Sequence, residues 1–107
     1  MPADFHTLQI AGIVQETHDT RSFVLDVPQS LREAFRYRAG QFLTFEIPWN
    51  GMQLRRCYSL SSAPATDPWL KVTVKRVDDG RVSNWFNDQL NVGDSILVQP
   101  PEGRFVL

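Results

Sequence analysis

The sequence predicts an all-β domain, a small antiparallel barrel with one helix. Three observations carry this: repeated apolar–polar alternation at the strand period, turn residues between the alternating runs, and a single stretch with a period near 3.6. At 107 residues the chain has the size of one domain, and an apolar fraction of 42% supplies one core.

Leu8, Ile10 and Val14 share one parity, with Gly12 between them as a candidate bulge. Phe23, Leu25 and Val27 follow, closed by Pro28. Leu43, Phe45 and Ile47 make a third run, closed by Pro48. Leu54, Arg56, Tyr58 and Leu60 share a face of the fourth. Leu70, Val72 and Val74 alternate with Lys71, Thr73 and Lys75 in the fifth. Ile96 and Val98 form the sixth, before Pro100-Pro101, and Gly103–Leu107 offers a last short strand.

The helical stretch is the one where Val82, Trp85, Phe86 and Leu90 recur at three and four residues and so line one face. Asp78, Asp79 or Gly80 can cap its start, and Gly93 lies just past its end. Reading Asp79-Gly80 as a hairpin turn fails, because the residues after it keep the helical period. A second brief helical turn is expected near Leu31–Phe35.

A net charge of −1 argues against charge-driven nucleic-acid binding. The single cysteine, Cys57, excludes an internal disulfide and a complete cysteine-ligated metal site, and no metal site is expected. A reducing compartment follows more easily. The N-terminus has no signal-peptide pattern and no apolar stretch reaches the length of a bilayer span, so a soluble cytoplasmic protein with no membrane partner is expected.

The chemistry concentrates in Arg55-Arg56-Cys57-Tyr58-Ser59-Leu60-Ser61-Ser62. A guanidinium offers a planar fork to phosphate, a phenol ring stacks and hydrogen-bonds, and hydroxyls adjust to either role. A ligand with an anionic tether and a flat heteroaromatic head, such as a flavin nucleotide, uses all three. In a regular strand Arg56 and Tyr58 point the same way, ~7 Å apart. Ser59 points the other way unless the strand bends, and the run from Ser59 to Pro64 favours an early exit. Taken alone, the pattern also describes an exposed strand with a surface ion pair.

The second element is Gly80-Arg81-Val82-Ser83 at the helix start, where free amides and the helix dipole suit a phosphate. An ordinary capped helix is the alternative, and Asp78 and Asp79 weigh against an anion if they point inward. The third element is Val72–Val77. It reads first as a core strand, with Lys75 or Arg76 adding positive potential. His6 and His18 read as exposed, Cys57 as a small buried hydrophobe, and Trp49 and Trp69 as turn residues.

In this order the pieces resemble the flavin-binding domain of the ferredoxin-reductase-like family. Arg56-Cys57-Tyr58-Ser59 looks like its Arg-x-Tyr-Ser/Thr motif. Arg38-Ala39-Gly40-Gln41-Phe42 is similar to its turn before the third strand, and Gly80-Arg81-Val82-Ser83 to its Gly-x-x-Ser helix start. Asn91-Val92-Gly93-Asp94 and Pro101-Glu102-Gly103-Arg104-Phe105 resemble two later turns of the same barrel.

The resemblance implies a six-stranded antiparallel Greek-key barrel with one short capping helix, spanning residues 1–107 as a single domain. It implies FAD rather than FMN, since the helix start accompanies the arginine. Arg56 would bind phosphate, Tyr58 would meet the ring or ribityl chain, and Ser59 would sit near flavin N5. Tyr58 and Ser59 are thus the catalytic candidates. Cys57, Thr73, Val74 and Lys75 would line the cofactor, and Arg81, Val82 and Ser83 would hold its pyrophosphate.

The motif style is similar to the reductase components of bacterial oxygenases. The NAD(P)-binding and iron–sulfur domains of that family are expected elsewhere, with an iron–sulfur centre or oxygenase as electron acceptor. The chain by itself is then not expected to be a fully active reductase, and the isolated domain is expected to self-associate through uncovered apolar surface. Two other classes stay open. One is a small-barrel module binding oligonucleotide or protein through Arg55, Arg56, Tyr58, Lys71, Lys75 and Arg76. The other is a barrel that has lost its cofactor.

Overall fold

The computed structural model describes residues 5–49, 51–63, 69–76 and 80–103, with the side chains of Trp49 and Arg81 outside that set. Six strands and one helix follow in order: β1 (His6–Thr17), β2 (Thr20–Asp26), β3 (Phe42–Trp49), β4 (Met52–Ser59), β5 (Leu70–Lys75), α1 (Arg81–Asp88) and β6 (Ser95–Val98). They form one antiparallel sheet in the order β4-β3-β6-β1-β2-β5. The non-consecutive neighbours β3–β6 and β2–β5 are the long-range pairings expected of a Greek key.

The sheet curls so that its two edges approach. The chain leaves β3 at the end of β4 and bridges to β5 at Leu60↔Val72, where the Ser61 amide donates to the Lys71 carbonyl at 2.8 Å. The expected early exit after Ser59 is therefore present, and it brings β4 and β5 together as a seam.

The core fills the inside of this curl. Leu8, Ile10, Phe23, Leu25, Leu43, Phe45, Ile47, Val72, Val74 and Val98 are buried there, as the alternation requires. Helix α1 closes one end, with Phe86 fully buried and its ring meeting Phe23, Phe45, Tyr58 and Trp85 at centroid distances of 5.2–5.5 Å. Edge-on ring contacts of this kind add to the burial of the rings themselves. Asn87, also buried, donates to the Val74 carbonyl at 3.3 Å and to the Ser83 carbonyl at 2.8 Å, which ties the helix to β5.

Four expectations need correction. Val14 is not a core residue, for the strand gains one residue at Ala11: Ile10 pairs with Leu25 but Gly12 with Val24. The bulge reverses the parity, so Ile13 packs on the core and Val14 is exposed. Pro48 does not end β3, which runs on through the pair Pro48↔Gln53. Beyond Glu46 the strand has β4 on one side and no described partner on the other, and there the missing amide of proline breaks no ladder bond.

His6 is half-buried rather than exposed, its ring edge-on to Phe35 at 5.6 Å. Cys57 is exposed rather than buried, because the face it shares with Arg55 is the outer face of the barrel. His18 is exposed, as expected.

The turns follow the local sequence. A 3-10 turn at Gln29–Leu31 leads into the brief helical turn expected near Leu31–Phe35, where the Phe35 amide donates to the Leu31 carbonyl at 3.0 Å. Gly40, with φ of 90°, closes the Arg38–Gln41 turn, and the Gln41 side chain accepts the Arg38 amide at 2.7 Å. The Asn91–Asp94 turn is closed by the Asp94 amide on the Asn91 carbonyl and the Asn91 amide on the Asp94 carboxylate. Glu102 pairs with Phe42 in an isolated bridge; Arg104–Leu107, most of the expected last strand, lie outside the described residues, as do the candidate caps Asp78 and Asp79.

Candidate functional site: the seam between β4, β5 and α1

The register places Arg56 opposite Phe45 and Tyr58 opposite Leu43. Both partners face the core, so Arg56 and Tyr58 share the inner face of β4, as the alternation predicted. Tyr58 is half-buried there, its ring 5.2 Å from Phe86 and 6.1 Å from Phe45. Burial raises its pKa above the usual 10, against a smaller lowering from the Arg56 charge. The phenol is thus a neutral donor at physiological pH, and among the described residues nothing pairs with its hydroxyl.

Arg56 is exposed, and its guanidinium donates to the Arg55 carbonyl at 2.8 Å. Among the described residues no carboxylate pairs with it. Arg55 behaves otherwise: on the outer face it pairs with Glu46 at 3.3 Å and lies over the Phe5 ring at 4.9 Å. Cys57, on that same outer face, contacts the Thr44 hydroxyl at 3.3 Å. Two adjacent arginines therefore differ: Arg55 pairs with a carboxylate across the sheet, and among the described residues Arg56 does not.

Ser59 is exposed and opposite Phe42, turned away from the face that carries Arg56 and Tyr58. Thr73 is exposed on β5 and bonded on both sides, to Ser22 at 2.8 Å and to Ser61 at 2.9 Å. Ser22 in turn donates to Glu16 at 2.7 Å. Of this row of hydroxyls across the seam only Thr73 was among the expected site residues, although the Ser61-Ser62 pair was visible in the motif. Ser62 accepts the Tyr37 hydroxyl at 2.7 Å and the Lys71 amide at 3.1 Å.

Val74 and Val82 are buried core side chains, so either can reach a ligand only through its backbone. The Val74 carbonyl already accepts from Asn87. Lys75 is exposed at the far end of β5. Helix α1 has Gly80 as its N-cap, with no capping side chain and no acid in its first turn. Such a start leaves the amides of Arg81 and Val82 without partners inside the helix. Ser83 is buried and its hydroxyl reaches the Gly80 carbonyl at 3.4 Å.

A guanidinium with no carboxylate partner among the described residues, a neutral phenol on the same face and a helix start with no capping side chain fit a ligand with phosphates and a flat head. Residues 7–107 match the family described as oxidoreductase FAD-binding domain. The chain belongs to that family. The FAD-binding barrel fold is shared with a ferredoxin NADP+ reductase from Neisseria gonorrhoeae with bound FAD and NADP. That match has a TM-score of 0.80 at 25% identity and covers 97% of this chain and 40% of the other. Phthalate dioxygenase reductase superposes with a TM-score of 0.80 at 35% identity, over 96% of this chain and 31% of its own.

Among curated proteins, the ferredoxin reductase component of 3-ketosteroid-9-alpha-monooxygenase from Rhodococcus rhodochrous is 50% identical over 99 residues. The glycine betaine monooxygenase reductase subunit from Chromohalobacter salexigens is 38% identical over 100 residues. These alignments cover 92% and 94% of this chain but 28% and 27% of the relatives, so the FAD-binding domain spans under a third of their length. Family membership decides against the oligonucleotide reading. The geometry agrees, since Arg55 and Arg76 of its proposed basic set are paired with Glu46 and Asp88. No helix among the described residues is long and apolar enough to cross a membrane.

Proposed function

We propose that this FAD-binding domain works in an NAD(P)H-dependent reductase that feeds electrons to an oxygenase or its iron–sulfur protein. The observation that carries the reading is Arg56, an inner-face arginine with no carboxylate partner among the described residues, next to the half-buried neutral Tyr58. The relatives named as reductase components of monooxygenases support the acceptor class.

FAD, when bound, supplies hydride acceptance and stepwise electron release. The residues of this chain hold and orient it. Arg56 grips phosphate, together with the amides of Arg81 and Val82 and the hydroxyl of Ser83. Tyr58 packs against the cofactor and offers its phenolic proton as a hydrogen-bond donor. Ser59, turned away from the Arg56 face, would reach flavin N5 through the bend at the end of β4 or through its backbone. Thr73 and Lys75 border the cofactor from β5, and the backbones of Cys57, Val74 and Val82 complete the lining.

The nicotinamide-binding and iron–sulfur parts are supplied elsewhere, consistent with the small share of the relatives that this chain covers. A cytoplasmic setting suits a chain with one cysteine. The exposed Met52, Trp69 and Val92 favour self-association when the domain is isolated, which sedimentation at several concentrations tests.

The direct test of the cofactor assignment is the absorption spectrum after incubation with FAD and desalting. Retained flavin bands, with FAD released on denaturation, support the reading. A chain that retains no flavin, even when a nicotinamide-binding domain is supplied, points to a barrel that has lost its cofactor.

A further inference from the structure

A cavity of about 540 Å3 opens away from the residues assigned to FAD, and none of them lines it. It lies between the end of β2, the connection that follows it and the first residues of β5. Its polar lining is Arg32, Arg36 and Asp26, and its aromatic lining is Phe35, Tyr37 and Trp69. The volume is in the range of small-molecule sites, which bury a flat ligand between apolar walls and orient it with a few polar groups.

The charges in this cavity are not equivalent. Arg36 is paired with Glu33 at 3.1 Å. Among the described residues the Arg32 guanidinium has no hydrogen-bond or ion-pair partner, its backbone amide alone donating to the Gln29 carbonyl. Asp26 is exposed on the same wall. One guanidinium is thus available to an anion, and one carboxylate opposes a second negative charge. The walls are made for a ring. Trp69 is 44% exposed and so presents its indole face to the cavity opening. Tyr37 is fixed by its hydroxyl bond to Ser62, and Phe35 is buried beneath the His6 ring.

We propose that this cavity binds a planar aromatic monocarboxylate. The carboxylate pairs with Arg32, the ring packs on Trp69 and Tyr37, and Asp26 disfavours a dianion. The site is independent of the flavin assignment.

The test is a titration of the full chain with benzoate, read by tryptophan fluorescence and by saturation-transfer NMR on the benzoate protons. Saturable quenching is expected in the wild type, and Trp69→Phe should abolish the quenching despite the two remaining tryptophans. Arg32→Ala should weaken binding by ~10-fold or more, as loss of a charged hydrogen bond does, with Arg32→Lys intermediate. Arg32 is exposed, so the fold should survive both changes, which circular dichroism verifies.

Arg56→Ala should leave the benzoate affinity unchanged. Weakening there would place benzoate in the seam and overturn the proposal. Non-saturable quenching, an NMR signal unchanged in Arg32→Ala, or adenosine monophosphate binding more tightly than benzoate would each overturn it as well.

Discussion

Strands β2 and β4 belong to one sheet and have nearly the same length, seven and eight residues. They are built to opposite ends. β2 buries Ser22, Phe23 and Leu25 almost completely, while β4 has no buried residue along its whole length. The inward positions of β4 go to Leu54, Arg56 and Tyr58, of which only Leu54 and Tyr58 touch the core. One strand thus secures the barrel, while the other keeps an arginine and a half-buried tyrosine on its inner face. Local stability and binding capacity are separated within a single sheet.

Phe86 is where the two halves meet, because its ring touches Phe23 of β2 as well as Phe45 and Tyr58. Phe86→Ala should give the largest effect, a loss of about 3–5 kcal/mol in urea unfolding. A loss under ~1 kcal/mol would show that the helix is not a keystone of the core.

The next pair tests the comparison itself. Leu25→Ala should cost about 2–5 kcal/mol, while Leu54→Ala on β4, only half-buried, should cost less than about 2 kcal/mol. Equal losses would break the distinction between the strands.

Arg56→Ala sharpens it from the binding side. The melting temperature should stay near wild type, while FAD affinity falls by ~10–100-fold, the loss of one or two hydrogen bonds to a charged group. Affinity unchanged under equilibrium dialysis would remove Arg56 from the phosphate site.

Two smaller effects follow from titration. The raised pKa of Tyr58 means that the fold favours its neutral form. Its contribution is complete below the unfolded value near 10 and is lost as pH rises through the folded value. Tyr58→Phe should therefore remove part of the alkaline loss of stability above pH 10, and a wild-type and variant pair with superimposable alkaline melts would argue otherwise.

Asp88 is the reverse case. Its fork with Arg76 holds it below the usual 3.8, chiefly through the hydrogen bond and then through charge attraction. That contribution is present above the unfolded value and is lost as pH falls through the folded one. Asp88→Asn should lower the melting temperature slightly at neutral pH and not at all in strong acid. The pair is exposed to solvent, so the effect is the smallest of the set.

Much of this arrangement was legible in the chain. Alternation placed all six strands, the 3.6 period placed α1, and Gly40 and Gly93 marked turns that their positive φ requires. Arg56 and Tyr58 were assigned one face, and they share it. The failures came where one residue shifts a period or where a partner strand decides. Ala11 adds a residue and inverts Val14; the candidate bulge at Gly12 marked the place, but the change of parity is set by the pairing with β2. Cys57 followed the correct alternation, but which face of β4 is inside depends on β3 opposite it. The hydroxyl row through Ser22, Thr73 and Ser61 joins residues far apart in the chain.

The sequence by itself determined the element types, the turns and the inventory of cationic, phenolic and hydroxyl groups, because periodicity and turn chemistry act over a few residues. Tertiary structure alone decided which of two adjacent arginines pairs with a carboxylate. Arg55 and Arg56 are chemically identical neighbours, and only the pairing of β4 with β3 gives Arg55 to Glu46 while leaving Arg56 at the open seam.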